Sequence, residues 1–136
     1  MNYFVAQIKY TEPVAGKDTV KKVTKGYLVN AESVTGAESK VQGWWPANWQ
    51  DPLVKAVVTN RIEEVIMEGE SETWWMVKVM YENPETGKWQ AIMTLCNGGT
   101  PELALQRVRL KNPNCEIDEV KKYKVIIDED LINDKN

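Results

Sequence analysis

The chain has no histidine among its 136 residues. That removes Ser-His-Asp and Cys-His catalysis, His-ligated zinc, and the side chain most often used for proton transfer near neutral pH. Carboxylates remain for acid-base or metal chemistry, but their spacing does not converge. Glu63 and Glu64 are adjacent on an expected strand and so point to opposite faces. Glu116, Asp118 and Glu119, like Asp128, Glu129 and Asp130, read as solvated charge. Cys96 and Cys115 share no CxxC spacing, and we read them as free thiols in a reducing compartment. Asn97-Gly98-Gly99-Thr100 precedes an expected helix, a place where backbone N–H groups can hold a phosphate, yet it does not match GxxxxGK(S/T). Its plainer reading is a strand-to-helix turn with a Thr cap. We therefore expect no catalytic residue, metal site or cofactor, and read the chain as non-enzymatic.

Aromatic residues are the informative excess: six tryptophans, at 44, 45, 49, 74, 75 and 89, stand against one phenylalanine. Trp44, Trp45 and Trp49 cluster in one short stretch, and exposed tryptophan suits a protein interface. Neighbouring strand residues point to opposite faces, so if Phe4 and Trp75 enter the core, Tyr3 and Trp74 lie on an outer face. Trp44, Trp45, Trp49, Tyr3 and Trp74 are thus the expected partner-binding residues, for a protein partner or for self-association. The alternative is single-stranded nucleic acid, with bases stacked on the sheet-face aromatics and Lys9, Lys17, Lys21, Lys22, Lys25 and Lys78 tracking the phosphates. In that reading Asp128 to Asp134 form an acidic tail that competes for the basic face.

An internal repeat positions these residues. Asn2 to Pro13 aligns with Thr73 to Pro84: two aromatics open each segment, an aliphatic-x-Tyr follows, and a proline closes each. Phe4, Ala6, Ile8 and Tyr10 alternate as one apolar face, as do Trp75, Val77, Val79 and Tyr81. Each strand enters a Gly-containing turn, around Gly16 or Gly87, and returns through a second alternating segment, giving a β-hairpin. A helix start comes next in both copies. Thr100-Pro101-Glu102 supplies the second cap; for the first, matching the buried stripes (Ala37 with Ala104, Val41 with Val108) selects Ser33, whereas a Thr-x-x-Glu capping box selects Thr35. Val54 to Ile66 and Glu116 to Ile127 close the two units as β-rich segments.

The expected fold is α+β: a tandem duplication of a β-β-α-β unit with pseudo-two-fold symmetry, a mostly antiparallel sheet and two helices. It is read as a single domain over 1–136, with repeat 1 about 2–66, an acidic linker 67–72, repeat 2 about 73–127 and an acidic tail 128–136. This length buries a real core without disulfides, and 43% hydrophobic with 27% charged residues is an ordinary globular composition. A net charge of −3 argues against strong non-specific attraction to polyphosphate. No apolar run approaches the roughly 20 residues needed to cross a bilayer, and the start lacks a signal-peptide pattern, so we expect a cytosolic protein with no membrane partner.

The order of elements, together with Val5 to Tyr10, Lys22 to Glu38 and Val58 to Ile62, resembles a family of short proteins of unknown function from Bacteroidota and their phages. The likeness is clearest over the first half of the chain. It implies a phage or bacterial cytosolic setting and a duplicated α+β fold, and brings no activity or site residues to carry over. The chain departs from the family pattern in the Trp-rich stretch at 44 to 49, which marks that stretch as a specialisation of its own.

Overall fold

The computed structural model describes residues 2–70 and 73–133; Ser71 and Glu72 of the expected linker, and the tail from Asp134 onward, lie outside the described residues. The fold is α+β and mostly antiparallel, with seven strands and three helices among the described residues. Two compact units divide it: one comprises the chain up to Asn60 together with the residues from Val125, the other runs from Arg61 to Lys124.

The first unit opens with the expected hairpin of β1 (Asn2–Pro13) and β2 (Val20–Ala31). Its tip closes through bonds from the Val14 amide to the Thr19 carbonyl (3.0 Å) and from the Lys17 amide to the Val14 carbonyl (3.1 Å). Gly16 there has φ +74°, in the left-handed region that favours glycine, as does Gly87 (φ +71°) at the matching turn of the second hairpin. α1 (Val34–Trp44) follows, and β3 (Gln50–Asn60) pairs with β1, giving a sheet ordered β2-β1-β3. The even residues of β1 face α1, and with Tyr27, Val29, Ala37 and Val41 they make the core of this unit.

The second unit repeats the order. β4 (Ile62–Ile66) is followed by the hairpin of β5 (Trp74–Glu82) and β6 (Trp89–Asn97), then α2 (Pro101–Lys111) and β7 (Glu116–Lys122), in a sheet ordered β4-β6-β5-β7. Val77, Val79, Cys96, Ala104 and Val108 form its core at the positions of Ala6, Ile8, Val29, Ala37 and Val41 in the first unit. This correspondence is compatible with the duplication read from sequence.

Three features differ from the sequence reading. First, Ser33 caps α1, its hydroxyl accepting from the Gly36 amide at 3.0 Å, so stripe matching located the helix start and the capping-box pattern at Thr35 did not. Second, each closing β segment is broken in two. Arg61 interrupts Val54 to Ile66, after which β4 turns away from β1 and pairs in parallel with β6. Likewise β7 pairs with β5, but beyond it Ile126 bridges in parallel to Tyr27 of β2, held by backbone bonds between Ile126 and both Gly26 and Leu28. The ends of these two closing segments therefore complete the sheets begun by the β5–β6 hairpin and by the β1–β2 hairpin, respectively. Third, the start of the acidic tail is folded. Asp128 caps a short helix, α3 (Glu129–Ile132), by accepting from the Asp130 amide at 2.9 Å, and Leu131 is fully buried in the core of the first unit.

The two buried asparagines that end the return strands fasten these crossed segments. The Asn30 amide donates to the Ile132 carbonyl at 3.1 Å, while the Asn97 side-chain carbonyl accepts from the Glu68 amide at 2.8 Å. A cation nearly two helical turns past the start of each helix joins in. Lys40 donates to the carbonyls of Asn30 (2.9 Å) and Asn133 (2.6 Å); Arg107 donates to the Asn97 carbonyl (2.7 Å) and pairs with Glu68 (3.6 Å). Such charge-assisted bonds are roughly twice as strong as neutral ones.

Candidate partner-binding site

The three tryptophans at the end of α1 and before β3 pack on the core of the first unit. Trp49 stacks flat on Tyr10, ring centroids 3.9 Å apart and planes within 2°, and meets Trp44 edge-on at 5.7 Å; Trp44 also leans on Tyr27 at 5.1 Å. All three, Trp45 included, are half-buried and pack on that core. Their first role is to close the apolar layer, and each keeps an outward surface as well. The ring contacts leave Tyr27 buried, which raises its hydroxyl pKa well above the ordinary value, with Tyr10 and then Asp128 adding to the effect.

Beside this cluster runs an open groove of about 740 Å³. It is lined by Gly36, Ser39, Lys40, Gly43 and Trp44 of α1 and by Asp130 and Asn133 of the C-terminal segment. The volume lies within the range of ligand-holding clefts, roughly 300–1,000 Å³. Gly36 sits close to the cap, where a Cβ would lie 3.3 Å from the Ser33 hydroxyl. Gly43 is different: a Cβ there would meet nothing within 4 Å, and its φ lies outside the left-handed region. Neither backbone geometry nor packing calls for glycine at 43, and glycine in a helix costs about 0.5–1 kcal/mol relative to alanine.

The other expected residues are scattered. Tyr3 is half-exposed on the outer face of β1. Trp74 lies on the face opposite Val77 and Val79, as parity expects, but is buried there, only 7% exposed, which corrects its expected availability to a partner. Parity did separate it from Trp75, but the first half of β5 is covered on both sides: Trp74 and Met76 are buried on one face, Val77 and Val79 on the other. Trp75 packs on the core of its unit, its indole donating to the Gly98 carbonyl at 2.8 Å. Trp89 is the tryptophan most open to solvent, at 51%, and sequence reasoning passed over it. The signal was its place at the hairpin tip, opposite Glu82 and beyond the reach of α2.

The lysines do not gather on one surface. In the β1–β2 register Lys22 lies opposite Thr11, on the face that also carries Lys9, whereas Lys25 lies opposite Ile8 and Lys21 opposite Glu12, on the other face. Lys21 pairs with Glu12 at 3.4 Å and Lys78 with Asp118 at 3.3 Å; Lys17 sits in the turn. Nor do the acidic residues converge: among the described residues no group of three or more His, Cys, Asp or Glu side chains is placed to hold a metal ion. Glu64 accepts from Thr94 (3.4 Å) and from Asn112 at the end of α2 (3.2 Å), tying β4 to the helix. The Asn97 to Thr100 turn is occupied by its own contacts: Thr100 caps α2, and a Cβ on Gly98 would press to 3.2 Å from the Ala104 amide nitrogen.

With this geometry in hand, the family can be settled. A family model described as Domain of unknown function (DUF4494) matches residues 2–127. The chain belongs to the DUF4494 family. That match takes in both units of the fold, including the Trp44 to Trp49 stretch, the groove residues of α1 and the parallel bridge at Ile126. No curated protein and no solved structure matches the chain significantly. No helix among the described residues is long and apolar enough to cross a membrane.

Proposed function

We propose that this DUF4494 chain is a non-enzymatic module that binds a protein partner through the groove beside α1 and the tryptophan that lines it. The observation that carries this reading is Gly43: a glycine that the helix does not need, at a cost to helix stability, keeps open a groove lined by Trp44. Tryptophan beside a concave, partly apolar surface is a recurring anchor of protein recognition, and Lys40 and Asp130 place opposite charges in its lining. The resemblance of the sequence to Bacteroidota and phage proteins adds a setting to the proposal: the cytosol of a bacterial host, with a host factor as the target.

A random-peptide display selection against the immobilised full chain tests the groove, with Gly43→Arg as the control that fills it. Peptides should be retained by the wild type and lose at least tenfold in affinity on the variant, whose helix should be no less stable. Selected peptides that bind both proteins equally, or no selectable peptide at all, would sink the groove as the site. The single-stranded nucleic-acid reading requires Lys9, Lys17, Lys21, Lys22, Lys25 and Lys78 to act together, and their division between two faces and two ion pairs counts against it. Quenching of tryptophan fluorescence by unstructured oligonucleotides at low salt, abolished at high salt, would restore it.

A further inference from the structure

β3 and β7 hold the same place in their sheets: each ends the strand order and pairs only with the first strand of its hairpin. Each carries a bulge at the matching place, Lys55 in β3 and Asp118 in β7, and β3 has a second irregularity at Asp51 and Pro52, where Asp51 has φ +50°. The inward residues match in kind, Val54 and Val57 against Ile117 and Val120. The outward residues do not. β7 presents Glu116, Glu119 and Lys121 opposite Met80, Lys78 and Met76; the corresponding residues of β3, opposite Lys9, Gln7 and Val5, are Leu53, Ala56 and Val58. Leu53 and Val58 are each 59% exposed.

Charge on an edge strand is the usual guard against pairing with another chain, and β7 has it. β7 also shows that the fold tolerates charge at these positions, so the apolar residues on β3 are not required by its own sheet. β3 has guards of its own in Pro52 and in Lys55 at the bulge, but its outward residues Leu53, Ala56 and Val58 are apolar, and this stretch is open to strand addition. Its side-chain pattern selects the added strand. In an antiparallel pair, outward residues must lie opposite outward ones. Set against a second β3, this rule puts Leu53 opposite Val58 and Val54 opposite Val57, once in each direction. The same register places Lys55 opposite Ala56, so this charge does not face its own kind, and Asp51 lies outside the Leu53 to Val58 pairing, beyond the irregularity at Pro52. β3 is complementary to itself, as a two-fold interface demands.

We propose that two copies of this chain join edge to edge through β3, continuing their three-stranded sheets into one. The interface is separate from the groove beside α1 and stands or falls independently of it. Light scattering coupled to size-exclusion chromatography, over a concentration series of the full chain, reads the outcome. The wild type should reach twice the 15.6 kDa chain mass. Leu53→Glu combined with Val58→Lys, which copies Glu116 and Lys121 of β7, should stay at one chain mass with an unchanged circular-dichroism spectrum. Hydrogen exchange on the wild type needs no variant: amides of Ala56 to Thr59 should exchange more slowly as concentration rises. A wild type that stays at one chain mass at every concentration overturns the proposal. So does a folded double variant that remains dimeric, or exchange in β3 that ignores concentration.

Discussion

Burial sets the chemistry of two side chains that sequence alone left ordinary. Cys96 is fully buried, and desolvation pushes its thiol up to about 11, with Arg107 partly opposing and the carboxylates of Glu68 and Glu64 adding. Cys115 is only half-buried, at the start of β7. A disulfide-exchange reagent should therefore modify Cys115 in the native protein and reach Cys96 only on unfolding; equal native rates would contradict the burial. The same shift makes stability depend on alkaline pH. The folded state holds the Cys96 proton more tightly than the unfolded chain, whose thiol ionises near 9.0. The stabilising difference is intact below about 9 and is lost as pH rises toward about 11. Tyr27, raised in the same direction, extends the loss upward from 10.0. Urea denaturation at pH 8 and pH 10.5 should show a lower midpoint at the higher pH, and Cys96→Ser should reduce the difference; a midpoint that does not move would refute it.

Among the elements, the first helix shows how local patterns compete. Thr35 and Glu38 satisfy a capping-box pattern, but the helix that Thr35 would begin leaves out Val34, and the observed cap is Ser33. Ala37 and Val41 must reach the core together with the β1 face, and this sets both the rotation and the start of α1. Ser33→Ala should cost about 1 kcal/mol in unfolding free energy, whereas Thr35→Ala should change it by less than about 0.5 kcal/mol. Chemical denaturation of the two variants decides, and the reverse order would place the cap at Thr35. The strands show a similar competition. A continuous Val- and Ile-rich run reads as one strand, yet Arg61 divides Val54 to Ile66 between antiparallel pairing with β1 and parallel pairing with β6. Alternation records that a strand is half-buried and says nothing of which neighbour it pairs with.

At the scale of the whole molecule, the first unit is discontinuous in sequence: its sheet and core are completed by residues from Val125 onward. Leu131 is its plug, fully buried with Ala37, Val41 and Tyr27. Leu131→Ala should destabilise this unit by about 2–5 kcal/mol, the usual range for a buried leucine, while Leu103→Ala, at an exposed position, should be nearly neutral. Tryptophan fluorescence during urea unfolding reads both, since Trp44 and Trp49 line the same core. Equal, small effects would mean that the C-terminal segment is not part of the folded unit. A stretch whose composition is that of a solvated acidic tail is thus a structural element, because Leu131 and Ile132 sit among the acids and the acid at 128 is spent as a cap.

Much of this protein was legible in the chain itself: the α+β class, both hairpins, the inward faces of β1 and β5 and the second cap. These features are written in periods of two and 3.6 residues and in local turn chemistry, which act over a few residues and survive in sequence. Tertiary structure alone decided the rest. Trp44, Trp45 and Trp49 could be read as a surface, but only packing shows Trp49 stacked on Tyr10, Trp44 tilted against Tyr27 and all three half-buried on the core. Trp74 is buried and Trp89 is open to solvent, because burial depends on what covers each end of a strand and parity assigns only its two sides. The crossing of β4 and of Ile126 to the opposite hairpin, and the asymmetry between an apolar β3 and a charged β7, arise from pairings between residues far apart in the chain, where no local pattern reaches.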